Sequence, residues 1–99
     1  MRSVVFHEDT LQTYEYLRET NKSIHKKLFN ILKEMQKGDP TQGTGKPEAL
    51  KHELTGYYSR RISDKDRLVY SFDDENIYVS HRYRWALRSI DKTVIEIAV

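Results

Sequence analysis

The stretch Gly45-Lys46-Pro47-Glu48-Ala49-Leu50-Lys51-His52-Glu53-Leu54-Thr55-Gly56-Tyr57-Tyr58-Ser59-Arg60-Arg61-Ile62-Ser63-Asp64-Lys65-Asp66-Arg67-Leu68-Val69-Tyr70 reads as a run of short strands joined by tight turns. Strand candidates at Leu50–Leu54, Tyr57–Ser63 and Arg67–Phe72 are separated by Thr55-Gly56 and Asp64-Lys65-Asp66. Asp73-Asp74-Glu75-Asn76 then supplies a further turn before Ile77–Tyr83, so the segment predicts a β-meander. The same stretch carries a carboxylate, Glu48, a histidine, His52, and several cations. That mixture suits RNA backbone chemistry, where a base takes the proton of a 2′-hydroxyl and cations hold a phosphate gaining charge.

Upstream of the meander the pattern changes. Arg2–Phe6 is short and β-branched and predicts an opening strand. Glu8 and Asp9 then fit the first turn of a helix whose stripe is Leu11, Tyr14 and Leu17. Asn21 is a candidate N-cap for a second helix. That helix has the better stripe, with Ile24, Leu28, Ile31, Leu32 and Met35 on one face and Gly38-Asp39-Pro40 as its stop. A break this short predicts a helical hairpin. Thr41–Pro47 is a loop punctuated by Gly43 and Gly45. The expected fold class is α+β, a helical hairpin packed on one face of a mainly antiparallel sheet.

Strand alternation sorts the side chains. Leu68, Tyr70 and Phe72 share a face, as do Ile77, Val79 and Tyr83, and these faces should meet the helices. The other face carries Arg67, Tyr78, Ser80, Arg82 and Arg84, with Tyr57, Ser59 and Arg61 able to join them. A basic, aromatic-flecked surface would then lie open to a ligand.

Each candidate residue has a functional and a plain reading. Glu48 is a general base or an exposed loop carboxylate. Arg61 and Arg67 clamp phosphate oxygens or form weak surface ion pairs with Asp64, Asp66 or Glu48. Lys51 and His52, as neighbours in a strand, face opposite sides, so one could touch a phosphate while the other packs. Tyr83 and Trp85 stack on bases or close one end of the core. His7 and His25 are expected to be solvated.

Composition sets bounds. The chain has 99 residues, 37% of them hydrophobic and 32% charged, enough for one modest core. Seven tyrosines add ring area to that core. With no cysteine, thiolate and disulfide chemistry are excluded, which fits a reducing compartment. A net charge of +2 is weak evidence for a polyanionic partner, so placement of the cations matters more. No spacing of His, Asp or Glu suits a metal, and phosphate-loop, dinucleotide and serine-triad motifs are absent; no cofactor is implied. Neither a signal-peptide nor a membrane-spanning apolar run is evident, and a cytoplasmic location is expected.

The motifs Gly-Lys-Pro-Glu-x-Leu-Lys-His at 45–52, Leu-x-Gly at 54–56, Ser-Arg-Arg-Ile at 59–62 and Arg-Leu-Val-Tyr at 67–70 closely resemble the YoeB group of RelE-like toxin ribonucleases. The resemblance spans about residues 1–85, which it makes a RelE-like, microbial-ribonuclease-like domain, with 86–99 as a C-terminal extension. It implies the toxin of a toxin–antitoxin pair, cutting messenger RNA in the ribosome without a metal and neutralised by a YefM-like antitoxin. Operator DNA would be met only through the antitoxin complex; a homodimer is left open and no membrane partner is implied. By the same resemblance, Glu48 matches the general base and Arg67 the phosphate-stabilising arginine. Lys51, His52 and Arg61 match positions that hold RNA or the active site. The family typically ends Arg-Tyr-His-Tyr, where the His is its general acid; this chain has Arg82-Tyr83-Arg84-Trp85. A guanidinium stays protonated, so Arg84 can stabilise charge but donates a proton poorly, and Lys51 or His52 becomes the substitute donor. Arg82, Tyr83 and Trp85 remain RNA-contact candidates. The alternative is a catalytically weakened homologue that still binds antitoxin or RNA.

Overall fold

In the computed structural model, residues 1–7, 10–64 and 66–79 are described. Strand β1 (Ser3–Phe6) leads into helices α1 (Thr10–Thr20) and α2 (Lys22–Lys37). Strands β2 (Glu48–Ala49), β3 (Tyr58–Arg61), β4 (Arg67–Phe72) and β5 (Asn76–Val79) follow. The sheet order is β1-β5-β4-β3-β2. Among the described residues only β1 and β5 run parallel; the other three pairings are antiparallel. No helix among the described residues is long and apolar enough to cross a membrane.

The hairpin forms for the reasons its sequence suggests. Asn21 caps α2, its side-chain oxygen accepting from the Ile24 N–H at 3.3 Å. Ile24, Leu28, Ile31, Leu32 and Met35 are all buried, and they meet Leu68, Tyr70, Ile77 and Val79 from the sheet. Tyr14 and Leu17 of α1, with Val4 and Phe6 of β1, pack on the margin of this core. Leu11 departs from the expected stripe and is 48% exposed. The buried residue of that first turn is Thr10, whose hydroxyl donates to the His7 carbonyl at 2.8 Å. Glu8 and Asp9, expected in the same turn, lie outside the described residues.

The meander departs from expectation at its first strand. Leu50–Leu54 is not a strand: the ladder ends at Leu50, whose N–H donates to the Tyr57 carbonyl. His52–Leu54 then forms a 3-10 turn that starts with His52 at φ +58. A left-handed residue cannot continue a strand. The turn is closed by the Thr55 hydroxyl on the His52 carbonyl at 2.7 Å. It tucks Leu54 against Val69, and with Leu50 and Tyr57 these make a second small apolar cluster. The sheet face away from the helices is therefore partly covered, where alternation alone suggested an open surface.

One residue ties the layers together. Arg60 is 0% exposed and points to the helix side of β3. Its Nε donates to the Tyr70 hydroxyl at 3.1 Å. Its Nη1 donates to Glu34 Oε1 at 2.8 Å and to the Thr44 carbonyl at 3.0 Å. Its Nη2 donates to the carbonyls of Pro40 and Gln42 at 3.0 and 2.7 Å. All five guanidinium N–H groups are thus used, as burial of such a charge requires. Glu34 in turn accepts from the Thr44 N–H and hydroxyl at 2.8 and 2.7 Å.

The 40–45 loop is wrapped so tightly that it needs glycine. A Cβ on Gly43, at φ +114, would collide with the Glu34 carboxylate. One on Gly45, at φ +86, would sit 2.5 Å from the Arg61 carbonyl.

Partial burial works to raise the Glu34 carboxyl's pKa, but the bonds from Thr44 and Arg60 and the Arg60 charge outweigh it and hold it below the ordinary carboxylate value. Burial, against the opposing effect of Arg60, raises the Tyr70 hydroxyl. The neutral hydroxyl can then donate to the Pro40 carbonyl at 2.6 Å while accepting from Arg60.

Two outcomes follow from this network. Arg60→Met leaves the loop carbonyls and the Tyr70 hydroxyl without their buried donor, Glu34 being partly exposed, so urea unfolding should show a loss of about 3 kcal/mol; an unchanged midpoint would show the network to be energetically idle. Glu34 has a depressed folded-state pKa, so the stability it adds is present above its unfolded value, about 4.3, and is lost as pH falls through the folded one. Urea midpoints measured down through that range should fall in the wild type and fall less steeply in Glu34→Gln.

Candidate functional site

Three of the candidate residues share the sheet face turned away from the helices. Register pairs Glu48 with Ser59, Ser59 with Val69, and Arg61 with Arg67. Residues directly opposite in a ladder share a face, and so do residues two apart along a strand. Glu48, Arg61 and Arg67 are therefore on one face. Glu48 lies one strand spacing across and two residues along from Arg61, about 8 Å backbone to backbone. Glu48 stands in β2, exposed and at the edge of the described sheet, where the sequence suggested the end of a loop.

Local structure fixes that placement. The Arg61 N–H donates to the Gly45 carbonyl at 2.7 Å, which docks the end of the 40–45 loop on β3 just before β2 begins. The next residue, Lys46, has φ +50 and turns the chain through Pro47 into Glu48. At the other end the β3–β4 turn is pinned by Ser63, whose hydroxyl donates to Asp66 Oδ2 at 2.8 Å while accepting the Asp66 N–H at 3.1 Å. This turn sets the register that brings Arg61 opposite Arg67.

The electrostatics suit an anion. Arg61 and Arg67 stand opposite each other in the ladder, so a phosphate between them could be held from both strands. The side chains of Glu48 and Arg61 are exposed, and neither has a hydrogen bond or ion pair among the described residues. The ion pairs found there are Arg18 with Glu15 and Arg60 with Glu34. Among the described residues Asp64, Asp66 and Glu48 form no ion pair with Arg61.

Lys51 and His52 are both exposed, at the entry to the 3-10 turn. Strand alternation does not apply there, so the expectation that they face opposite sides lapses. Both sit on the segment held over Val69 by Leu54, beyond the end of β2. Arg82, Tyr83, Arg84 and Trp85 lie outside the described residues, as does the 86–99 extension.

Of the two histidines expected to be solvated, His25 departs from that reading and His7 keeps to it. His25 is not solvated: its ring packs on Tyr14 with centroids 4.4 Å apart, and its Nε2 is buried without a hydrogen-bond partner. His7 is exposed and lies 5.6 Å from the Tyr78 ring. Among the described residues no group of three or more His, Asp and Glu could hold a metal ion.

The residue that sequence reading missed is Arg60. A signal existed: if Tyr57, Ser59 and Arg61 share the outer face, Arg60 must point inward beside Leu68. An inward arginine requires acceptors, and the carbonyls of a loop whose glycines let it wrap closely could provide them.

Comparison with known proteins bears on the family and the fold. The profile of a family described as "YoeB-like toxin of bacterial type II toxin-antitoxin system" matches residues 6–85. Toxin YoeB of Escherichia coli O6:H1 is 40% identical over 77 residues, spanning 78% of this chain and 90% of that protein. Toxin RelK of Mycobacterium tuberculosis is 40% identical over 86 residues, spanning 86% of this chain and 100% of its own length. Among solved structures, a heterotetrameric YoeB-YefM toxin-antitoxin complex from Staphylococcus aureus contains a chain 39% identical to this one, with a TM-score of 0.74 over 81% of this chain and 92% of that one. Escherichia coli YafQ, at 15% identity and a TM-score of 0.58, shares the fold alone. With a matching profile over most of its length and relatives at this identity, the chain belongs to the YoeB-like toxins of bacterial type II toxin–antitoxin systems, within the RelE/ParE-like superfamily.

Proposed function

We propose that the protein is a metal-independent endoribonuclease that cuts messenger RNA at the ribosome and so inhibits translation. The observation that carries this reading is the register that puts Glu48, Arg61 and Arg67 on one sheet face. Family membership supports it.

In the proposed reaction the Glu48 carboxylate takes the proton of a ribose 2′-hydroxyl. The 2′-oxygen attacks the adjacent phosphorus as the bond to the 5′-oxygen breaks, leaving a cyclic phosphate, or after hydrolysis a 3′-phosphate, and a 5′-hydroxyl. Arg67 donates to the non-bridging oxygens as their charge grows. Arg61 holds the same phosphate from the neighbouring strand. Lys51 or His52 protonates the leaving 5′-oxygen. Arg84 adds positive charge there, and Arg82, Tyr83 and Trp85 hold flanking nucleotides. The domain is residues 1–85 and the site is cytoplasmic.

A YefM-like antitoxin is the proposed neutralising partner, in line with the YoeB-YefM complexes from Staphylococcus aureus. A YoeB dimer from the same organism supports self-association as a second mode. Operator DNA would be reached through the antitoxin.

Primer extension on translated messages tests the reaction. Wild type should cut near the ribosomal A-site codon, and Glu48→Ala and Arg67→Ala should each reduce cleavage by roughly 100-fold or more. Loss of activity in His52→Ala but not Lys51→Ala, or the reverse, assigns the proton donor. Intact messages and normal growth on wild-type expression would contradict the reading and favour a homologue that binds antitoxin without cutting.

A further inference from the structure

A surface cleft of about 310 Å³ opens where the β3–β4 turn meets α2 and the end of the 40–45 loop. Lys27 lines it from α2, Gly45 and Lys46 from the loop, and residues 61–64 from the turn. Three cations, Lys27, Lys46 and Arg61, thus surround a space with one carboxylate, Asp64. Three different segments bring these cations together, although they lie far apart in sequence.

Lys46 adds an independent sign. Its φ of +50 places a non-glycine residue in the left-handed region. The residue before a proline is normally extended, so Pro47 makes that conformation less favourable still. Strained residues of this kind persist where the surroundings over-determine them, and they cluster at ligand sites. Gly45 supplies the neighbouring turn and its carbonyl is bonded to Arg61. Lys46 thus lines the cleft together with Arg61.

We propose that this cleft is a phosphodiester subsite for the RNA strand leaving the Glu48–Arg67 centre, with Lys27 and Lys46 gripping a phosphate next to the one held by Arg61. The strand's identity rests on the ribonuclease reading above. Arg61 connects the two sites, since it lines the cleft and lies opposite Arg67 in the ladder. A polypeptide occupant is disfavoured because Ile62, the one apolar side chain in the lining, is only 5% exposed. No aromatic anchor lines the cleft, and its recognisable groups are the three cations.

The test is binding of a short fluorescein-labelled 2′-O-methyl oligoribonucleotide, which cannot be cut, followed by anisotropy across a salt series. Lys27→Gln with Lys46→Gln should weaken binding roughly tenfold, the loss expected for one charge-assisted contact. The slope of log affinity against log salt should flatten by about 0.7 for the phosphate released. Replacing one linkage at a time by methylphosphonate should locate the contact: one neutral linkage should weaken wild type and leave the double variant unaffected. The Lys→Arg pair should keep the wild-type slope. Both lysines are exposed, so thermal melting should be unchanged and serves as the folding control. An unchanged affinity and slope in the Gln double variant overturns the proposal and leaves these cations to a different acidic partner. If translated messages stay intact while the slope difference persists, the ribonuclease reading fails and the subsite stands as a nucleic-acid phosphate site.

Discussion

A guanidinium taken fully out of water must find an acceptor for every N–H, and Arg60 finds five. Three of them are carbonyls of one loop, between Pro40 and Thr44, one is the Glu34 carboxylate on α2, and one is the Tyr70 hydroxyl on β4. The loop therefore has little freedom. Its conformation is fixed from the inside by a charge that would be costly to leave unpaired. Glu34 bonds Thr44 from the other side, and Gly43 and Gly45 allow the backbone to approach that closely.

The consequence for function is positional. Residues 40–45 lead directly into β2, and the Gly45 carbonyl is bonded to the Arg61 N–H. Adjacent residues of β3 thus work on opposite faces. Arg60 holds the loop within the protein, and Arg61 faces the candidate site outside it. A second support lies beyond β2, where Leu54 packs on Val69 and holds the segment carrying Lys51 and His52. Glu48 is exposed yet constrained at both ends, as a group that must meet one atom of a substrate should be.

Much of the fold was legible because simple periodicities govern it. The α2 stripe from Ile24 to Met35 is buried as spaced, and Leu68, Tyr70, Ile77 and Val79 turn inward as alternation requires. Asn21 caps α2, and Asp73 closes the last turn by accepting from the N–H groups of Glu75 and Asn76. Alternation failed at Leu50–Leu54 because one left-handed residue, His52, ends the strand and a local turn buries Leu54 instead. Arg60 was hard to see for another reason. Its partners are mostly backbone carbonyls, which carry no residue-type signature. Likewise, nothing in the sequence spacing of Lys27, Lys46 and Arg61 signals that they meet; only the packing of α2 beside the β3–β4 turn brings them together.

The Arg60 fork, more than the hydrophobic core, holds the loop that delivers Glu48. Hydrogen–deuterium exchange in Arg60→Lys addresses it directly, because lysine keeps the charge but lacks the planar five-donor geometry. Amides across residues 40–48, with the Arg61 amide bonded to Gly45, should exchange much faster than in wild type while α2 amides from Leu28 to Met35 keep their protection. Unchanged protection of the loop, or an equal loss across loop and helix, would contradict it.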